Sequence, residues 1–526
     1  MGRLFRPGRA GVRVKTRAAY ERWRERLSGR GPLVLVLVLA VVYCVLFTAL
    51  SLHRHEIYSS SRFDLGNMDQ AVWNSAHGRI LESTDETGEL TTRLRNHADF
   101  LLLAFVPLYW VHPSPVWLLA AQAAVIGLGA LPLYWLARRF LGDGLRWAAA
   151  FLAGGYLFSY GLQSANLFDF HAQAMAGTFL LFAFHYLLER RLWPFLFFAA
   201  AAALSKEGIS LIVAMMGLYA VFPMKRWRWG VPVVAGGVAY FLLVMLAVIP
   251  AFNSGETGAL VSERYAAVGG SFGGLLRTAV TDPLFVLGYA LSGDRVPYLL
   301  DLAAYGGFLG LLSPAVLFLP VSEIAVNLLS DRPQMTDVHY HYSAPITPFM
   351  YLAAAAGLGN LRRVAGWLNE QRPLERKLPV RVLPEGVEFR DMLTALALFV
   401  LLLNVWLCYE RGPLPVSANW QTNPVVMQPL PDEYVANLDA AVAAVPDGAR
   451  VSASNWIAPH LTHRRHLYLF PVIKDAEYVV VDLARPSYYT SVDLPRARSV
   501  LRALIEDPDY EIVFQRRNVA VFANPG

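Results

Sequence analysis

The chain has 526 residues, is 55% hydrophobic and only 16% charged, with mean hydropathy +0.38 and a formal charge of +6. Soluble domains carry about 25% charge, so these values exclude a soluble globular enzyme, a disordered chain and a small disulfide scaffold, and point to a polytopic membrane protein with a minor water-soluble part. The positive balance is no sign of nucleic acid: residues 1–30 hold ten Lys and Arg against two Glu, a net of +8, which leaves −2 for the rest.

The basic segment 1–31 reads as a cytoplasmic tail, because Lys and Arg resist crossing the bilayer. A helix needs about 20 apolar residues to span the hydrocarbon core. Apolar runs predict eleven spans, at 32–52, 115–137, 145–163, 172–189, 193–205, 209–223, 231–252, 297–312, 314–329, 343–360 and 391–409. Together, 32–410 form an all-α polytopic membrane bundle. The pairs 193–205/209–223 and 297–312/314–329 count as two crossings each if Lys225-Arg226-Trp227-Arg228 and Leu361-Arg362-Arg363 are to be cytoplasmic. The N-terminus is then inside and the C-terminus outside. Eleven of the twelve histidines fall on the outer side or in the C-terminal region, and only His185 sits near the inner face. Cys44 and Cys408 lie in apolar runs and build neither a metal site nor a disulfide framework.

The first outer segment, 53–113, is far longer than a connector needs, and long ordered loops are usually functional. Met68, Val72 and Trp73 recur at helical spacing, so Asp64–Asn74 reads as an amphipathic helix on the outer leaflet. Asp64 is either a catalytic carboxylate or the N-cap of that helix. Asp69, five residues on, is rotated by about 140° on a regular helix and shares no face with Asp64 unless the backbone breaks at Gly66.

Further polar groups stand at span ends. Asp169 and His171 lie between the third and fourth predicted spans. Lys206-Glu207-Gly208 interrupts an apolar stretch, where each charge costs about 2.5–3.5 kcal/mol on insertion. The pair is either self-paired or a substrate site. His339-Tyr340-His341-Tyr342 reads as an H-x-H metal clamp on a strand or as an aromatic interface belt. The outer connection 253–296 is Gly-rich and reads as a lid or as an ordinary connection.

From 411 the composition changes, and 411–526 reads as a small extracytoplasmic α/β domain. Helices are expected at 434–445 and 499–505, strands at 450–454 and 477–483, and a terminal hairpin at 510–514 and 519–522. His460, His463 and His466 form either a solvated loop or a contact to an anionic headgroup.

Five segments together carry a resemblance: Phe63-Asp64-Leu65-Gly66-Asn67-Met68-Asp69-Gln70-Ala71-Val72-Trp73; Asn96-His97-Ala98-Asp99-Phe100 with Pro107-Leu108-Tyr109; Lys206-Glu207-Gly208; His341-Tyr342 with Pro345 and Pro348; and Ala458-Pro459-His460-Leu461. The chain resembles a family of uncharacterised, predicted bacterial and archaeal multipass membrane proteins. In layout, that family is similar to the GT-C glycosyltransferases. The resemblance implies an inverting transfer of sugar from a polyprenyl-phosphate-linked donor to a glycan, lipid or protein acceptor at the outer leaflet, with membrane lipids as the other partners. Asp64, with Asp69 further on, matches the acidic position of the first outer loop. Lys206, Glu207, His97, Asp169, His171, His341, Tyr342 and His460 are the expected donor or substrate contacts. Many GT-C enzymes carry a paired acid where this chain has Asp64-Leu65, which favours a metal-independent transfer. No cofactor is therefore expected, with a divalent metal as the alternative. The competing functions are a transporter or flippase of a lipid-linked or polar substrate, and a non-catalytic assembly or sensor protein.

Overall fold

The computed structural model describes residues 9–253, 263–370, 388–423, 430–485 and 494–524. Of the features expected from sequence, Gly255 and Gly258 of the Gly-rich connection and Pro424 and Pro429 of the linker lie outside them.

The molecule is mostly helical, with a five-stranded sheet near its C-terminus. Among the described residues, four helices are long and apolar enough to cross a membrane: Gly29–Glu56, Val116–Leu141, Trp227–Phe252 and Phe389–Arg411. Phe100–Val111, Leu192–Ala203 and Ile209–Val221 are apolar but shorter. Val41, Val42 and Val45 on the first helix stay more than half exposed, as befits a wall that faces lipid rather than protein.

The eleven expected spans are not reproduced as eleven helices. The stretch 145–163 divides into Arg146–Leu157 and Tyr160–Leu167, with Ser159 extended between them. The stretch 297–329 breaks into Arg295–Tyr305, Leu309–Leu312, Pro314–Leu317 and Val321–Leu328. The causes are local: Gly307 and Phe308 have φ of +58° and +61°, and Pro314 and Pro320 cannot continue the helix before them. Apolar periodicity registers burial, and it cannot separate burial in protein from burial in lipid. The 193–223 stretch is two helices, as expected. Leu192–Ala203 packs on Ala172–Glu189, and Ile209–Val221 packs on Trp227–Leu243. The second contact brings backbones together: a Cβ on Gly217 would sit 2.6 Å from the Val234 nitrogen, the small-residue packing common between membrane helices.

Between Pro283 and Ala290 and between Phe272 and Thr281 the Gly-rich connection is helical, each helix capped by the side chain of the residue before it, Asp282 and Ser271. That half of the connection is therefore an ordered pair of helices rather than a loop.

The segment 62–76 does not lie on a leaflet. A π-turn, Arg62–Gly66, runs into the helix Asn67–Ala76, and Met68, Asp69, Gln70, Ala71, Val72 and Asn74 are all buried. Polar and apolar faces alike are covered because the C-terminal domain sits on top. Gln70 Nε2 donates to the carbonyls of Arg464 and Arg465 at 3.2 and 3.0 Å, and Arg62 N donates to Asn455 Oδ1 at 3.1 Å. A hairpin, β1 (Glu82–Thr84) and β2 (Leu90–Thr92), follows.

The C-terminal sheet runs β4-β3-β5-β7-β6, where β3 is Val451–Ala453, β4 Leu467–Leu469, β5 Tyr478–Asp482, β6 Glu511–Arg516 and β7 Val519–Ala523. β3 is parallel to β4 and β5, while β5–β7 and β6–β7 are antiparallel. Side chains alternate across a strand. Val480, Val519 and Val521 therefore meet Leu438 and Ala441 of the helix Asp432–Ala443, while Val479, Val481, Ala520 and Phe522 meet Ala497 and Leu504 of the helix Leu494–Glu506. Covering both faces explains why β5 and β7 read as continuous apolar runs. Tyr58, just beyond the first helix, joins the first of these cores and donates to Asp439 Oδ1 at 2.8 Å.

Candidate functional site

Asp64 occupies the third position of the π-turn, and the cap is Ser61, whose hydroxyl accepts from Phe63 N at 3.1 Å. The capping role expected for Asp64 thus belongs to Ser61. Single-turn π segments recur at functional sites because they re-aim a side chain. Ser61 is itself held: its N–H donates to Asp169 Oδ2 at 2.7 Å. Asp169 has φ +70°, a conformation that costs a non-Gly residue of order 1–3 kcal/mol. Its surroundings fix it there, since Arg54 Nε lies 3.5 Å from Oδ1 and Gln122 Nε2 donates to its carbonyl at 2.8 Å. Burial pushes the Asp169 carboxyl up, Asp64 adds to the rise, and Arg54 opposes it. Asp64 Oδ1 lies 3.1 Å from His171 Nε2, and Oδ2 accepts no hydrogen bond among the described residues. The side chain is 23% exposed and faces a cavity of about 250 Å³.

Lys206 and Glu207 are not each other's partners. Both sit in the turn between Leu192–Ala203 and Ile209–Val221. Glu207 turns toward the first outer segment, where Oε1 meets His97 Nδ1 and Oε2 accepts from Ala98 N, each at 3.1 Å. Burial works against this carboxylate, but His97 and then Lys206 outweigh it and hold it down at about 2. Lys206 reaches the cavity instead. Its Nζ donates to Gln173 Oε1 at 2.8 Å, and Gln173 Nε2 donates to the buried Glu323 at 2.7 Å. Gly208 lets that carboxylate approach, because a Cβ there would lie 3.2 Å from Glu323 Oε2. The Tyr342 ring centre lies 5.4 Å from Lys206 Nζ, a cation–π contact.

His341 stacks on His171 with ring centroids 3.6 Å apart and planes 12° apart. Burial, then His171 and Lys206, push the His341 ring well down. His339 turns elsewhere, with Nδ1 2.7 Å from Asp337 Oδ1. The clamp geometry therefore fails, because His341–Ser343 is a 3-10 turn rather than a strand. Among the described residues, no group of three His, Cys, Asp or Glu side chains is placed to hold a metal.

The cavity thus brings together Asp64, His97, His171, Lys206, His341 and Tyr342, with Asp169 and Glu207 directly behind as supports. Asp69 and His460 stand apart. Asp69 is fully buried, accepts from Tyr109 and Thr462, and lies 3.2 Å from His463 Nε2. His460 is sandwiched between the His55 and Tyr58 rings, at 4.1 and 4.0 Å. Both residues belong to the seam between the C-terminal domain and the helices. His460 and His463 are therefore packed into that seam, while His466 stays partly exposed beside Tyr468. The cavity lining also holds three arginines that were not expected, Arg93, Arg264 and Arg332. Arg93 is paired with Asp99, and Arg332 lies 3.8 Å from Glu263. Lys206 and Arg264 are the cavity's lysine and arginine with no carboxylate within ion-pair distance among the described residues.

A helical bundle with four helices apolar enough to cross a membrane, and this polar cavity beneath an α/β domain, define the class as a membrane protein with a built polar site. Residues 54–521 match the family model described as predicted membrane protein (DUF2079), and the chain belongs to that family. No curated protein matches it. Among solved structures, it is similar to ArnT from Cupriavidus metallidurans bound to undecaprenyl phosphate, at 16% identity and TM-score 0.48, over 94% of this chain and 98% of that one. ArnT from the same organism in the apo state gives 15% identity and TM-score 0.42, over 92% and 98%. The Archaeoglobus fulgidus oligosaccharyltransferase in complex with zinc and sulfate gives 14% and 0.42, over 92% and 73%.

Proposed function

We propose that this protein is an inverting glycosyltransferase that moves a sugar from a polyprenyl-phosphate carrier to an acceptor hydroxyl at the outer leaflet. One observation carries the reading: a half-free carboxylate, Asp64, opens on the same small cavity as Lys206 and Arg264, two cations with no carboxylate within ion-pair distance among the described residues. The acceptor oxygen attacks the anomeric carbon as the bond from that carbon to the phosphate oxygen breaks. Asp64 takes the hydroxyl proton, and Lys206 and Arg264 hold the departing phosphate. Direct displacement inverts the anomeric centre. His171 fixes the orientation of Asp64, and the Gln173–Glu323 pair fixes Lys206.

The test is mass spectrometry of lipids that copurify with the detergent-solubilised protein, for the wild type and Lys206→Met. A hydrogen bond to a charged group contributes about 1.5–3 kcal/mol. The variant should therefore fold and retain roughly ten-fold less polyprenyl phosphate. Equal retention would remove Lys206 from the phosphate site. Retention without transfer to any acceptor would move the reading to a transporter or flippase.

A further inference from the structure

The small cavity does not end at Asp64. Phe63, Arg93, His97, Arg264 and Arg332 line it and also line a second cavity of about 780 Å³. That volume falls in the range of small-molecule sites. Its walls come from the hairpin β1–β2, the segment that follows it and Leu469 of the C-terminal sheet. Phe63 and Leu469 are the apolar side chains among its lining residues, so an acyl chain or an apolar protein segment has almost nothing to pack against. Within the lining Arg95 lies 3.3 Å from Asp85 and Arg332 lies 3.8 Å from Glu263, while Glu89 pairs with Lys474 and Arg93 with Asp99 outside it, and Arg264 has no carboxylate within ion-pair distance among the described residues. Its neutral polar groups are not all spent. The side chains of Ser83, Thr91 and Asn96 make no hydrogen bond to any described residue.

A chamber lined with free hydroxyl and amide groups and nearly free of apolar surface matches a ligand that is itself rich in hydroxyls. We propose that the larger cavity is the acceptor subsite, and that the acceptor is a water-borne carbohydrate rather than a lipid or a protein segment. This rests on the transferase reading. The residues shared by the two cavities are the threshold across which an acceptor hydroxyl meets Asp64.

The experiment is saturation-transfer difference NMR on the full chain in nanodiscs, with methyl α-glucoside, methyl α-mannoside and methyl α-galactoside as probes. Asn96→Trp fills the chamber from a solvent-exposed position, and Asn96→Ala removes one amide without adding bulk. At least one glycoside should give signal with the wild type. That signal should weaken several-fold in Asn96→Ala, vanish in Asn96→Trp and persist in Lys206→Met. Silence from all three glycosides, or a signal indifferent to Asn96→Trp, would overturn the assignment. So would a signal confined to a tripeptide or a phospholipid headgroup. Copurified polyprenyl phosphate without glycoside binding sinks this inference alone, whereas glycoside binding without a lipid sinks the transferase reading and with it the acceptor role, leaving the chamber a carbohydrate site.

Discussion

Two carboxylates five residues apart meet two histidines and come to opposite ends. Asp64 lies 3.1 Å from His171 and Asp69 lies 3.2 Å from His463, yet the Asp64 side chain is 23% exposed and the Asp69 side chain 0%. Asp69 has all of its capacity consumed: Tyr109 donates to one oxygen and Thr462 to the other, with His463 beside the second. Asp64 keeps an oxygen open to the cavity. Partner identity therefore does not decide whether a carboxylate can do chemistry; what matters is whether acceptor capacity is left over. The π-turn divides the two fates, sending Asp64 toward the helix bundle and Asp69 toward the C-terminal domain.

The largest expected effect breaks that contrast in turnover. Asp64→Asn preserves shape and should fold and bind donor, but general-base help is typically worth about 10²–10⁴-fold. Sugar transfer should fall by that order, measured with purified protein and labelled donor. Asp69→Asn should lose less turnover, and near-wild-type transfer by Asp64→Asn would remove it from the mechanism. In stability, the order reverses. Two hydroxyl donors converge on Asp69 with the His463 ring beside it, and Asp69→Ala leaves all three facing nothing in the seam, at a cost of about 3 kcal/mol. Denaturant unfolding should show that loss, and protease release of the C-terminal domain should accelerate. Asp64→Ala should change neither by much, because the Asp64 end of the segment is held by Ser61, Asp169 and Arg62 rather than by its own carboxylate.

Much of this was legible in the sequence, for identifiable reasons. A charge inside an apolar run is costly, so Lys206 and Glu207 announced themselves. The same logic applies to Glu323, which interrupts the 314–329 run and fixes Lys206 through Gln173. Period-two and short apolar runs located β3, β5 and the β6–β7 hairpin. β4 was missed because three residues after an Arg/His-rich run carry too little pattern. Arg93, Arg264 and Arg332 were missed because an arginine in an outer connection looks like hydrated surface. Arg93 does stand three residues before the Asn96-His97 segment, and Arg264 falls within the Gly-rich connection. Helix continuity was the least legible property, because Gly307, Phe308 and Pro320 interrupt runs whose composition alone reads as spans. Which charges lack partners is a fact of three dimensions only.

The smallest expected effect sharpens the contrast through pH. Burial pushes the His463 ring down, but Asp69 outweighs it, and the net shift is upward. A histidine with a raised folded-state value contributes stability that is fully present below its unfolded value of about 6.5 and is lost as pH rises through the folded value. For Asp69, burial pushes upward while His463, Thr462 and Tyr109 outweigh it, so the net shift is downward. That contribution is present above the unfolded value of about 3.9 and is lost only as pH falls through the folded value. The seam should therefore hold most firmly between those two limits and loosen modestly on the alkaline side. Protease release of the C-terminal domain, followed from pH 5.5 to 9, should rise with pH in the wild type. In His463→Gln, which keeps a polar group but cannot titrate, the rate should start higher and lose its alkaline slope. A slope that survives His463→Gln would assign the pH dependence to another group and leave the Asp69 seam held by its two hydroxyl donors alone.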